Sequence, residues 1–247
     1  MKAKLLTSLL VFGFLNSFSG NTEVLKFDLK FGILKGGEAV LTIRDTTFRG
    51  TKAIQYQIVG KTTGITDKLF NVHDTYETIV DASTNLPLKS IRNIKEQKYR
   101  YYNETFFFQD IDSLYSQRKG GRKTPDNVLD IISVFFYFIK NNYTEKIENG
   151  QQLSFPTYHI DKIDDIQIKY LGLKTVETDM GMIECYALSP RVEKGKVLNR
   201  SDGLQCYISK AEKIPIQMEF EMKVGALRAV LKSYVTNGVN KFKKGGR

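Results

Sequence analysis

Asp74, Glu77, Arg92 and Glu96 form the set of residues in this chain whose types best suit chemistry. Two carboxylates converging in a cleft could act as acid and base, or as acid and nucleophile, on a glycosidic bond. Strand alternation puts Asp74 and Tyr76 on one face, and His73, Thr75 and Glu77 on the other. Arg92 and Ile94 share a face by the same rule. These residues better suit a cross-strand ion pair, a carboxylate opposite Arg92, that fixes register without any catalysis. The two histidines, His73 and His159, lie far apart, and His-Glu-x-x-His is absent, so no zinc site is expected. Neither Gly-x-Ser-x-Gly nor a phosphate-cradling glycine loop before a helix occurs. These patterns call for no catalytic residue, metal or cofactor.

The cysteines are a second pair of interest. Cys185 shares a face with Ile183 and Ala187, and Cys206 with Leu204 and Ile208. In an exported protein such thiols could close a disulfide across a loop of about 20 residues, contributing ~3 kcal/mol. Two buried free thiols acting as small apolar groups are the alternative. In residues 118–123, Arg118, Lys119, Arg122 and Lys123 surround Gly120-Gly121. That run could attract an anion or be a solvated turn.

Position along the chain says where these groups would work. Lys2 and Lys4 precede an apolar run over residues 5–15, and small residues follow at Ser17 and Ser19. This is the layout of a secretory signal peptide over residues 1–19, cleaved after Ser19. The run is too short for a membrane span of ~20 residues, and no cysteine near it could take a lipid anchor. A periplasmic or otherwise exported chain is expected. The formal net charge is +10, to which Lys241, Lys243, Lys244 and Arg247 contribute. Residues 237–247 therefore read as a flexible basic tail that could touch a headgroup surface. Export, and the lack of any reading motif, argue against a nucleic-acid partner.

The elements that would position these residues are strands. Alternation and turn chemistry mark strands over residues 24–31, 39–43, 53–59, 73–80, 88–95 and 98–108. A second series covers residues 152–159, 166–177, 182–188, 204–209, 214–224 and 227–235. Lys35-Gly36-Gly37, Arg49-Gly50 and residues 81–87 read as turns, and residues 193–203 as a charged loop. One helix interrupts the series over residues 125–142, with Thr124 as N-cap and Pro125 in the first turn. It is apolar most of the way round and must be buried. Asp130, Ser133 and Tyr137 form its polar stripe. A sheet this long cannot stay flat. The expected fold is mainly β: a long curved antiparallel sheet or open β-barrel, or two abutting half-barrels, packed on one buried α-helix. Residues 20–236 form one domain, with possible sub-halves 20–150 and 151–236.

The run Phe31-Gly32-Ile33-Leu34-Lys35-Gly36-Gly37-Glu38-Ala39, followed by Gly60-Lys61-Thr62-Thr63-Gly64, resembles the bacterial DUF3108 family. Val72-His73-Asp74-Thr75-Tyr76-Glu77, Leu86-Pro87-Leu88, residues 91–96 and Ile214-Pro215-Ile216 extend the likeness over residues 24–234. His73 stands where the family pattern leads one to expect a basic residue such as Arg. The resemblance implies an exported all-β protein, similar in architecture to the open-barrel lipoprotein-localisation proteins that hold acyl chains.

Two functions are open. The first is a non-catalytic binding, carrier or scaffold module of the cell envelope, its partner an apolar ligand such as a lipid or acyl chain, or an envelope protein. An apolar channel beside Phe135 and Phe138 would favour the carrier. The second is an envelope hydrolase acting on glycan or lipid through paired carboxylates among Asp74, Glu77 and Glu96.

Overall fold

Turns decide where this chain doubles back. Arg49 and Gly50 both take positive φ, at 50° and 84°, and Asn85 takes 60°; Asn and Gly adopt such angles at little cost. In the computed structural model, which describes residues 20–191, 203–221 and 225–241, the strands run between turns of this kind. In chain order they begin with β1 (Thr22–Phe31), β2 (Leu34–Phe48) and β3 (Thr51–Thr62), then a short helix α1 (Gly64–Leu69). Next come β4 (His73–Asp81), β5 (Pro87–Glu96), β6 (Tyr99–Phe108), β7 (Ser113–Ser116), β8 (Gly120–Lys123) and β9 (Leu129–Asp130). Helices α2 (Ser133–Lys140) and α3 (Tyr143–Lys146) follow. The chain then returns as β10 (Gln152–His159), β11 (Lys162–Thr178), β12 (Gly181–Arg191) and β13 (Leu204–Ser209). It ends with β14 (Pro215–Glu221), β15 (Ala226–Thr236) and β16 (Val239–Asn240).

All sixteen strands belong to one curved, unclosed sheet. β1 sits in its middle, with β2 on one side and β15 on the other. The sheet grows outwards both ways, through β2 to β8 and through β15 back to β10. The stretches before and after Gly150 are therefore one sheet, joined where β1 pairs with β15. Short β9 adds to β10 in parallel, at Leu129↔Thr157 and Asp130↔Tyr158. No ladder joins β8 to β9 among the described residues. Side chains close this seam instead: Phe107, Leu114, Val128 and Tyr158 pack together there. Arg122 Nη1 donates to the Asp161 carbonyl at 3.0 Å.

Helix α2 fills the curl. Val134, Phe136, Phe138 and Ile139 are all buried. Phe136 packs with Leu25, Leu41 and Tyr56 of the sheet, while Phe138 packs with Phe155, Ile168 and Leu188. A helical plug of this kind is what the apolar run demands, but its start lies elsewhere. Asn127 turns left-handed at φ 55°, and the chain then extends through β9 before the helix begins at Ser133. Asp130 supplies the cap: its Oδ1 accepts from the backbone N–H of Ile132 at 2.8 Å and of Ser133 at 3.1 Å. Ser133 Oγ accepts the Asp130 N–H at 2.8 Å, completing a capping box. Thr124 and Pro125 therefore belong to the crossover before the plug, and the helix over residues 125–142 shortens to α2, with α3 beyond its end.

Two further expectations change. Gly36 and Gly37 lie inside β2, and the first hairpin turns instead at Gly32 and Ile33. Gly37 is required for packing, since a Cβ there would sit 2.5 Å from the Lys61 carbonyl oxygen. The C-terminal tail begins later than residue 237, because Val239 and Asn240 pair with β15 as β16. The signal-peptide segment, the charged loop over 193–202 and residues 242–247 lie outside the described residues.

Candidate functional site

One row of directly opposed residues crosses the sheet and sets the character of its inner face. It runs Tyr234, Leu25, Leu41, Ile58, Tyr76, Arg92 and Asn103, each paired with the next. Directly opposed residues share a face. The inner face is thus apolar over β15 to β3 and turns polar from β4 to β6.

Over the apolar part lies a cleft in two chambers. The wider, about 760 Å3, is lined by Leu29, Phe31, Leu34, Phe70, Phe220 and Leu227 among others. The narrower, about 170 Å3, runs under the plug against Ile132, Val134, Phe135 and Phe136. Ala39, Ile58 and Met218 line both, so the chambers adjoin. Gly36, Gly37 and Gly60 line the wider chamber. Without side chains, they leave its wall clear. Its mouth carries exposed apolar residues: Leu34 and Phe70 from its lining, with Ile33, 96% exposed, and Ile65 and Leu69 nearby on the first hairpin and α1.

A second, polar crevice lies at the seam, between β4–β6 and the β9–β10 side. Tyr76, Thr78, Arg92, Tyr101, Asn103, Asp130, Tyr158 and His159 all line it, and its free volume is about 20 Å3. Ile131 and Ile132 line both this crevice and the narrow apolar chamber, and Tyr76 lines both it and the wide one. Asp130 is only 3% exposed. Its Oδ1 takes a third hydrogen bond, 2.7 Å, from Thr78 Oγ1, while Oδ2 is buried with no partner among the described residues. Burial pushes its carboxyl above the usual range, against the pull of these hydrogen bonds. His159 Nδ1 is also buried and unpaired. Burial first, then the charge of Arg92, lowers its imidazole to about 4. Arg92 sits between the rings of Tyr76 and Tyr101, 5.5 and 5.1 Å from their centroids. Its Nε is buried and unpaired, and no carboxylate forms an ion pair with it among the described residues.

The residues singled out from the sequence divide accordingly. Asp74, Arg92 and Glu96 share the inner face. Glu77 points away, and its Oε2 accepts from Gln57 Nε2 at 3.0 Å. Arg92 opposes Tyr76 in register, so the cross-strand carboxylate pair does not form. Asp74 and Glu96 do meet. Burial, the charge of Asp74 and a hydrogen bond to it raise the Glu96 carboxyl. Asp74 Oδ1 also accepts the Lys95 N–H at 2.9 Å. Carboxyls in contact leave no room for a sugar between them, which needs a separation of about 5 Å or more.

Cys185 and Cys206 are both free and buried. The β12–β13 ladder sets Cys185 opposite Ser209 and Cys206 opposite Leu188. The thiols are three positions apart, about 10 Å along the strand and on opposite faces. The expected disulfide is therefore excluded by register, since bridged Cα atoms lie within about 7 Å. Arg118 and Lys119 lie exposed in the turn between β7 and β8, while Arg122 is half-buried on β8. Arg118 stacks 4.7 Å from the Tyr101 centroid, and Arg122 5.6 Å from that of Tyr158. Among the described residues no group of three His, Cys, Asp or Glu side chains could hold a metal ion. No helix there is long and apolar enough to cross a membrane.

The polar crevice was not anticipated. Its one legible trace is Asp130-Ile131-Ile132-Ser133, a capping pattern inside what reads as continuous helix. Arg92 and His159, from opposite halves of the chain, meet only because the curl brings the sheet ends together.

A curled, unclosed sheet with a helical plug and an internal cleft defines a β-barrel-like protein. The chain belongs to the DUF3108 family, described as a protein of unknown function, which matches residues 26–232. A β-barrel-like protein of the domain of unknown function DUF1849 from Brucella abortus shares the fold. It superposes with a TM-score of 0.53 at 9% identity, covering 88% of this chain and 97% of that one. A DUF1089 family protein from Pseudomonas aeruginosa aligns with a TM-score of 0.29 at 9% identity, over 88% and 91% of the two chains. No curated protein matches.

Proposed function

We propose that this protein is an exported, non-catalytic carrier of the cell envelope that shelters the hydrocarbon chain of an apolar or amphipathic ligand. The observation that carries this reading is the two-chambered apolar cleft, about 760 and 170 Å3, joined at Ala39, Ile58 and Met218. Ligand sites are typically concave, mostly apolar and about 300–1,000 Å3. The channel anticipated beside Phe135 and Phe138 runs instead beside Phe135 and Phe136, because Phe138 turns into the opposite cluster. The signal-peptide layout of residues 1–19 supports export. A hydrolase built on Asp74 and Glu96 is the weaker reading, since these carboxyls touch each other.

Displacement of the fluorophore N-phenyl-1-naphthylamine by 1-alkanols of increasing length tests the carrier. Each buried methylene is worth about 0.8 kcal/mol, or roughly fourfold in affinity. Affinity should climb by that factor per carbon until the cleft is full. Gly60→Phe should weaken binding, because a Cβ at Gly60 meets open space and the ring would project into the wide chamber. No fluorophore uptake, or a length series that stays flat, contradicts the reading.

A further inference from the structure

Three polar atoms from separate elements are left without partners by residues lining one crevice: Arg92 Nε of β5, Asp130 Oδ2 of β9 and His159 Nδ1 of β10. Buried polar atoms are nearly always paired, so three unpaired at one place point to a missing partner. Asp130 is the most enclosed, at 3% exposed.

The partner's chemistry follows from what these atoms offer. Arg92 Nε is always a donor. Burial favours the protonated form of Asp130, whose Oδ2 is then an O–H donor, and the neutral form of His159, which can donate from Nδ1. Asp161 lines the crevice itself, and it and the acids nearby already have partners. Asp161 Oδ1 accepts from Tyr158 at 3.2 Å and Tyr101 at 3.5 Å, Glu77 bonds Gln57, and Asp74 and Glu96 bond each other. Donors converging beside an arginine without an ion pair suit an anionic oxygen. The free volume, about 20 Å3, admits one oxygen-sized atom. A carboxylate seating one oxygen there suits that space better than a bulkier phosphate monoester. Position supplies the rest, since Ile131, Ile132 and Tyr76 wall both the crevice and the apolar chambers.

We propose that the crevice is the headgroup end of the same site. The ligand is a single-chain amphiphile whose carboxylate rests on Arg92 and Asp130, and whose chain passes Ile131 and Ile132 into the apolar cleft. This assignment rests on the carrier reading and narrows its ligand class. Arg92, stacked between Tyr76 and Tyr101, is held ready for the headgroup and sets the preference for an anion.

The test is a headgroup series at constant chain length: tetradecanoate, tetradecyl phosphate, 1-tetradecanol and tetradecyltrimethylammonium. Each displaces N-phenyl-1-naphthylamine from the purified full chain, below its micelle concentration. Tetradecanoate should bind about tenfold to a hundredfold more tightly than the alcohol, the scale of a charge-assisted hydrogen bond. The phosphate should bind less tightly than the carboxylate, and the ammonium least. Arg92→Gln should bring carboxylate and alcohol within about threefold, and Arg92→Lys should keep part of the gap. The unmodified chain alone decides the main point, whatever the variants do to folding. Equal affinity for carboxylate and alcohol means a crevice filled by water and overturns the assignment while the carrier stands. A preference for phosphate overturns the size argument, and with it the carboxylate. A carboxylate preference that survives in folded Arg92→Gln removes Arg92 from the headgroup. Failure of every member to displace the fluorophore removes the carrier reading itself.

Discussion

The ring of Tyr56 in β3 lies flat on that of Phe136 in α2, with centroids 3.8 Å apart and planes 12° from parallel. This stack pins the plug to the middle of the sheet, and both rings are buried. Phe136→Ala should cost about 3–5 kcal/mol, the usual price of emptying a buried aromatic site. Tyr56 Oη has no hydrogen-bond partner among the described residues. Tyr56→Phe removes a buried unpaired hydroxyl while keeping the stack, so it should stabilise by about 1 kcal/mol. Urea unfolding of both variants checks this. A large loss for Tyr56→Phe would show that the hydroxyl is satisfied, and a small one for Phe136→Ala that the stack is not the anchor.

Stability should depend on pH through the crevice, with two groups acting in opposite directions. His159 is lowered from 6.5 to about 4, by burial and then by Arg92, with Asp164 opposing. Between those values the unfolded chain binds the extra proton, so stability falls as pH drops from 6.5 towards 4. Asp130 is raised above 3.8 by burial, so its contribution is complete below 3.8 and is lost as pH rises through its folded value. His159→Gln should flatten the acid limb of a plot of melting temperature against pH, and Asp130→Asn the opposite limb. Asp130→Ala should lower stability by about 2–4 kcal/mol, because Thr78, Ile132 and Ser133 lose their acceptor. Unchanged limbs in both conservative variants would contradict the burial of these groups.

The thiols should be silent in the native state. Burial raises Cys185 to about 11 and Cys206 to about 12, so neither presents a thiolate near neutral pH. Ellman's reagent should label neither thiol in the folded protein and both in urea. Dithiothreitol should leave the melting temperature unchanged. A drop on reduction would mean a disulfide that the β12–β13 register forbids.

Much of the sheet was legible because alternation and turn residues act locally. The strand over residues 152–159 and the turns at Arg49-Gly50 and residues 81–87 needed nothing distant. The failures involve contacts far apart in the chain. Gly36-Gly37 resembles a turn, yet Gly37 serves the close approach of β2 to Lys61, and both glycines line a cleft. Residues 125–132 carry helical periodicity, yet Leu129 and Asp130 find a partner strand in β10, whose position depends on the whole curl. Of the candidate site, the shared face of Asp74 and Tyr76, and that of Arg92 and Ile94, followed from period two alone; which face is inward did not. The union of Arg92 with Asp130 and His159 required the sheet ends to meet, which no local pattern encodes.

The central claim is that the cleft holds a hydrocarbon chain, and native mass spectrometry of protein purified from its own envelope tests it most directly. The account predicts an adduct of one single-chain amphiphile on the unaltered protein, less abundant on folded Gly60→Phe. A bare protein mass that stays bare after incubation with tetradecanoate would contradict it.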